Sequence, residues 1–135
     1  MFDTKIAIII RDDLATWQKL NVTAFLRGGI TGANPGIVGK THQDRGGKRH
    51  LATSVQPVIV LAGTANVLTN IRNRANETGV DTVAYIEEMF STGHDEANRA
   101  VFAEHDATEA NTVGIVVRAD KKIVDKITKG AGMHV

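Results

Sequence analysis

Lys5-Ile6-Ala7-Ile8-Ile9-Ile10 is an unbroken apolar run, mostly β-branched, closed by the charged Arg11-Asp12-Asp13. A run of this kind, without polar alternation, reads as a strand buried on both faces. Pro57-Val58-Ile59-Val60-Leu61-Ala62 reads the same way, with proline at its first residue, one of the few strand positions that tolerates it. Each run leads into a helical pattern. Residues 16–30 follow the first, with Leu14, Trp17, Leu20, Phe25 and Ile30 supplying much of the apolar side and Gly28-Gly29 weakening the last turn. Gly63-Thr64 opens the second helix, whose face is Val67, Leu68, Ile71 and Ala75. Thr64 is placed to cap it and Gly79 to stop it. Two more strands are predicted over 81–86 and 112–117. A short helix over 95–104 is expected to bury Ala97, Ala100 and Val101, and one over 121–127 to turn Ile123, Val124 and Ile127 inward. The alternation predicts one α/β domain over 1–135, a three-layer α/β/α sandwich with a mixed, mostly parallel central sheet.

Between the first two units lies a turn-rich stretch holding Gly32, Pro35, Gly36, Gly39, Gly46 and Gly47. Within it, Asp44-Arg45-Gly46-Gly47 reads as the turn of a short exposed hairpin. The bulk composition is that of a globular protein, with 42% hydrophobic and 23% charged residues. Cysteine is absent, which removes disulfides, thiolate nucleophiles and cysteine metal sites. No apolar run approaches the ~20 residues of a membrane span, and Met1-Phe2-Asp3-Thr4-Lys5 has no signal-peptide pattern. The expected location is cytoplasmic. A formal net charge of +1 argues against a dedicated nucleic-acid binder, so tRNA is not the expected partner. The charge is nevertheless segregated. Lys40, Arg45, Lys48 and Arg49 face only Asp44 in one segment, and Arg118, Lys121, Lys122, Lys126 and Lys129 outweigh Asp120 and Asp125 in another. These are either separate solvated faces or a basic surface for a small anionic ligand.

Both ends of the chain carry a resemblance. Lys5-Ile6-Ala7-Ile8-Ile9-Ile10-Arg11-Asp12-Asp13-Leu14 at the start, and Thr112-Val113 followed by Ile123-Val124-Asp125-Lys126-Ile127-Thr128 at the end, resemble peptidyl-tRNA hydrolase type II. The strand–helix–Gly unit of 57–79 matches that family in order and length. The resemblance implies its scaffold outside 32–54 and 93–110. It also implies that the family's polar positions fall on Leu20, Ala24 and Arg27, with Lys19 one place from the lysine position. Trp17-Gln18-Lys19-Leu20-Asn21-Val22-Thr23-Ala24-Phe25 and Thr92-Gly93-His94-Asp95-Glu96-Ala97-Asn98-Arg99-Ala100 resemble instead a bacterial family of unknown function that shares this scaffold. No activity comes with it.

The richest polar segment is 91–99. On a helix Asp95, Asn98 and Arg99 share a face, at i, i+3 and i+4. One reading is structural: Thr92 or Asp95 caps the helix and Asp95 pairs with Arg99 on the surface. The other is functional: His94 beside a carboxylate is an acid–base candidate, and Gly93 lets an anion approach the helix start. Lys19, Asn21 and Thr23 follow the first strand's C-terminal end, where open α/β sheets bind ligands. The residues expected to act are therefore Lys19, His94 and Asp95, and those expected to bind are Asn21, Thr23, Glu88, Thr92, Gly93, Asn98 and Arg99. The two segments are expected to flank one crevice. Trp17 is expected in the core or at an interface, and His42, His50, His105 and His134 in solvent. His94, Asp95 and Glu88 lack the spaced second histidine of a metal site. No cofactor motif is present: there is no Gly-x-Gly-x-x-Gly after a strand and no phosphate loop ending in Lys-Ser/Thr. The expectation is a small hydrolase-like enzyme acting on an ester or amide of an anionic substrate. A non-catalytic module for a small anion or nucleotide and a peptidyl-tRNA hydrolase are the alternatives. A homodimer through Trp17 and Phe25 is also expected.

Overall fold

A computed structural model describes residues 2–135. In chain order the elements are β1 (Thr4–Arg11), α1 (Thr16–Ala33), β2 (His42–Gln43), β3 (Arg49–His50), β4 (Val58–Gly63), α2 (Ala65–Thr78), β5 (Asp81–Ile86), α3 (Asp95–Phe102), β6 (Thr112–Asp120), α4 (Lys121–Ile127) and β7 (Gly132–Met133). Short 3-10 turns cover Pro35–Ile37 and Glu87–Ser91. Five strands form one sheet in the order β5-β6-β1-β4-β7.

β1 occupies the middle, hydrogen-bonded on both edges, and its residues Ile6 to Ile10 are all buried. Alternate side chains serve opposite faces. Ile6, Ile8 and Ile10 meet Val22, Leu26 and Ile30 of α1, while Ala7 and Ile9 meet Leu68, Ile71 and Ala75 of α2 and Val124 and Ile127 of α4. The three-layer arrangement follows, with α1 on one face and α2 and α4 on the other.

Strand direction differs from the expectation of a mostly parallel sheet. Only β1 and β4 pair in parallel; β6 runs antiparallel to both β1 and β5, and β7 antiparallel to β4. The cause is the position of α3. It packs on the Glu87–Ser91 turn at the end of the sheet rather than across a face. The chain therefore leaves β5, turns at the sheet's end and comes straight back as β6, with no crossover to restore its direction.

Two local expectations meet their geometry. The Thr64 hydroxyl accepts the Val67 N–H at 3.3 Å, and Gly79 takes a left-handed φ of 74° that ends α2. Two helix faces do not. α1 buries Val22, Leu26 and Ile30, whereas Trp17, Leu20 and Phe25 are exposed. α1 also runs through Gly28-Gly29 to Ala33. Gly29 has a packing reason: a Cβ there would stand 3.1 Å from Val83 Cγ2 of β5. α3 buries no residue completely and leaves Ala100 exposed.

Candidate functional site

A cavity of about 900 Å³ is bounded by α1, the edge strand β5 and α3. That is within the range for small-molecule sites. Trp17, Asn21 and Phe25 enter it from successive turns of α1, since four residues return a helix to the same side. Thr82, Val83, Ala84 and Tyr85 of β5 form the floor, and Met89 and Phe90 close one end. The start of α3 forms the far wall, ending at Phe102 and Ala103.

The chain has one tryptophan, one tyrosine and four phenylalanines. Trp17, Phe25, Tyr85, Phe90 and Phe102 all line this cavity, which leaves only Phe2 elsewhere. Their rings are mutually ordered. Trp17 meets Phe90 edge-on at 5.9 Å, Phe25 meets Tyr85 edge-on at 5.5 Å, and Tyr85 and Phe90 are tilted at 5.2 Å. These separations are those of favourable aromatic pairs. Trp17 is 61% exposed and Phe25 51%, so the aromatic wall is open to an incoming molecule. Tyr85 is buried, with its hydroxyl near the Met89 carbonyl at 3.4 Å. Burial raises its pKa, against a hydrogen bond with Asn21 that lowers it, so the phenol remains a donor at neutral pH.

The polar rim comes from 92–99. His94, and not Thr92 or Asp95, is the N-cap of α3, its Nδ1 accepting the Ala97 N–H at 3.2 Å. A neutral ring with Nδ1 accepting carries its proton on Nε2. His94 therefore offers an N–H donor, while its lone pair is already engaged. The Thr92 hydroxyl sits between the Met89 carbonyl and the Asn98 amide. Asp95 pairs with Arg99 on the surface, and this leaves the rim close to neutral.

The two segments singled out in the sequence meet here: Asn21, Thr92, Gly93, His94, Asp95, Asn98 and Arg99 all line the cavity. Lys19, Thr23 and Glu88 do not. Lys19 is two residues from Trp17 and from Asn21, about 200° around the helix, and its Nζ lies 3.3 Å from His134 Nε2 instead. The Thr23 hydroxyl donates to the Lys19 carbonyl at 2.7 Å. Glu88 points behind the wall, where Asn111 Nδ2 donates to it at 3.0 Å and His105 Nε2 lies 3.4 Å away. His105 is thus partly buried between Glu88 and Glu109, not free in solvent. His134 is likewise half-buried.

Arg72 of α2 supports the same wall and was not foreseen. It is buried, donates to the Thr112 hydroxyl at 3.2 Å and stacks 4.9 Å from the Phe102 ring centre. Burial pulls its pKa below the ordinary value, with Asp106 and Glu109 opposing. Among the described residues no group of three or more His, Asp or Glu side chains is arranged to hold a metal ion.

Comparison with known proteins places the chain in a family without assigning a reaction. The chain belongs to the family described as protein of unknown function (DUF2000), whose model matches residues 4–135. It is similar to a solved structure, the protein of unknown function Atu0240 from Agrobacterium tumefaciens strain C58. The two are 52% identical, each chain is covered over 100% of its length, and the TM-score is 0.98. No curated protein matches.

Proposed function

We propose that this DUF2000 member binds a flat, largely apolar small molecule with hydrogen-bonding edges, held between the aromatic wall and the rim of α3. The observation that carries this reading is the gathering of five of the chain's six aromatic side chains on one open cavity. The core accounts for only two of them: Tyr85 is a buried member of the cluster under α1 and Phe90 packs against it, whereas Trp17, Phe25 and Phe102 belong to neither core cluster. Asn21 and Asn98 each bring an amide with donor and acceptor side by side, suited to the edge of a heteroaromatic ring. This is closer to a binding module than to a hydrolase: His94 has its lone pair engaged, Asp95 is paired, and Lys19 lies outside the cavity. The resemblance of the opening and closing motifs to peptidyl-tRNA hydrolase type II supports a shared scaffold. Its reaction does not follow, because Leu20, Ala24 and Arg27 stand at the polar positions.

The test is a thermal-shift and tryptophan-fluorescence screen with matched planar heteroaromatic and aliphatic compounds. Planar compounds are expected to stabilise the protein and to perturb Trp17. Phe25→Ala and Phe102→Ala are each expected to weaken them by about tenfold, since one stacked ring is worth roughly 1–3 kcal/mol. Equal response to both compound classes, or binding unchanged in both variants, would refute the reading.

Self-association is a separate part of the proposal. Leu20 is 68% exposed on α1 and lies outside the cavity, so ligand binding does not account for it. With Trp17 and Phe25 it forms an apolar surface suited to a twofold partner. Light scattering over a concentration series is expected to give a dimer that Leu20→Lys dissociates without loss of helical circular dichroism. A monomer throughout would count against it.

A further inference from the structure

Between α1 and β4, residues 38–51 fold into a hairpin that stands out from the body. Every residue from 38 to 51 is exposed. The arm leaves the body at buried Ile37, where the Val55 N–H donates to the Ile37 carbonyl at 2.8 Å. It continues through Gly39 N–H to Thr53 carbonyl at 3.1 Å and the pairs His42–His50 and Gln43–Arg49. At about 3.3 Å per residue the extended chain from the Val38–Ser54 bridge to Gln43 reaches roughly 20 Å. An isolated two-stranded ribbon is marginal in water, and this one gains no burial in return for its order. Its ordering is local. Asp44 accepts the Lys48 N–H through Oδ1 at 2.9 Å, and Gly47 turns the chain with a φ of 88°.

The arm's charge is one-sided. Lys40, Arg45, Lys48 and Arg49 have no ion-pair partner among the described residues, while the one acid, Asp44, is engaged in the turn and lies 3.6 Å from His50. Side chains alternate along a strand. The pairing of His42 with His50 puts Lys40 on their face, and Arg49, one residue away, on the other. The ribbon is therefore basic on both faces. A flat acidic surface engages only one face of such a ribbon, whereas a duplex groove presents phosphates on both sides and admits a two-stranded ribbon. Across residues 38–51 there is no Phe, Tyr or Trp to serve as a base-stacking platform, and the two aliphatic side chains, Val38 and Leu51, lie at the arm's base and not at its tip, where a membrane wedge would be needed.

We propose that this arm binds duplex DNA through its phosphates, without sequence preference. The site is separate from the aromatic cavity and stands or falls independently of it. Fluorescence anisotropy of a labelled B-form duplex of random sequence, titrated with the whole chain between about 50 and 200 mM salt, reads the phosphate contacts directly. Four contacts are expected to give a slope of log K against log salt near −3.6, at about 0.9 per phosphate. Replacing Arg45, Lys48 and Arg49 together by alanine is expected to bring the slope near −1 and to weaken binding at least tenfold at about 50 mM salt. Because the arm buries nothing, that variant should keep the parent's unfolding midpoint, which shows that its fold is intact. Absence of binding at low salt, binding equal in the variant, or arm-dependent binding to phosphatidylserine vesicles but not to the duplex would each overturn the proposal.

Discussion

Gly114→Ala is expected to destabilise the protein by about 1–3 kcal/mol, the usual cost of forcing one extra carbon into a packed core. Gly114 lies in β6 directly beneath α1. A Cβ added there would stand 2.4 Å from Val22 Cγ1, 3.1 Å from Leu26 Cδ1 and 3.4 Å from Ile10 Cδ1. Val22 cannot yield by rotating, because a β-branched side chain in a helix has one strongly preferred rotamer. The helix itself must rise off the sheet. Since α1 carries Asn21 and Phe25, the cavity should widen with it. Urea unfolding of Gly114→Ala, Val22→Ala and the double variant checks the mechanism. Val22→Ala alone should cost stability by opening a void, yet partly rescue Gly114→Ala, a coupling expected of residues in contact. A loss below about 0.5 kcal/mol, the range of an ordinary surface change, or simple additivity, would show that the close approach is not what holds α1 down.

The second large effect is a pH dependence centred on His105. Its Nδ1 lies 3.1 Å from Glu109 Oε1 and its Nε2 3.4 Å from Glu88 Oε2. A neutral imidazole has one N–H, so acceptors at both nitrogens are satisfied only by the imidazolium. The hydrogen bond to Glu109 raises the His105 pKa above 6.5, with Glu88 and Glu104 adding to it and partial burial opposing. The group binds its proton more tightly folded than unfolded. Its contribution to stability is therefore complete below 6.5 and is lost as pH rises through the folded value. Asp106, held by the Thr108 hydroxyl and N–H, and Glu109, held by the Asp106 N–H and then by His105, are both lowered, from 3.8 and 4.5. Their contributions are complete above those values and fade as pH falls. The stability of the 103–111 loop should thus be greatest between about 4.5 and 6.5, bounded by the two sets of groups. A proton NMR titration should find His105 above 6.5 and lower again in Glu109→Gln. His105→Gln should flatten the alkaline fall in the urea midpoint. A His105 that titrates at its ordinary value, or is indifferent to Glu109→Gln, would contradict the assignment. Phe102 and Ala103 lead into this loop and Met89 and Phe90 follow Glu88, so the same ion pairs brace two walls of the cavity.

The local chemistry of the chain was enough to place β1, β4, β5 and β6 and all four helices, because each carries its own evidence. β1 and β4 are nearly continuous apolar runs rich in β-branched residues, β5 and β6 are stretches rich in Thr, Val and Ile, Thr64 and Gly79 mark a helix's ends, and Asp44 to Gly47 mark a turn. The short β7 escaped because its two residues, Gly132 and Met133, pair with β4 through backbone alone and leave no side-chain period to read. The buried face of α1 was misread for another reason. Trp17, Leu20 and Phe25 are as apolar as Val22, Leu26 and Ile30, so periodicity cannot choose between two apolar sides.

Asn21, His94, Asp95, Asn98 and Arg99, which line one cavity, were legible as candidates because polar groups of those types, clustered after strands, stand out from a scaffold. The aromatic wall was not. Trp17 and Phe102 are each unremarkable in their own segments, and nothing local links residues so far apart in sequence. The same holds for His105, whose two carboxylate partners come from different elements. Strand direction belongs with these. The order of helices and strands along the chain is a local property, but whether β6 returns antiparallel depends on α3 stopping at the sheet's end instead of crossing its face. Short-range chemistry thus determines what each segment becomes. Which faces, rings and charges meet is settled by packing between segments, where the free energy lies in contacts that no single stretch contains.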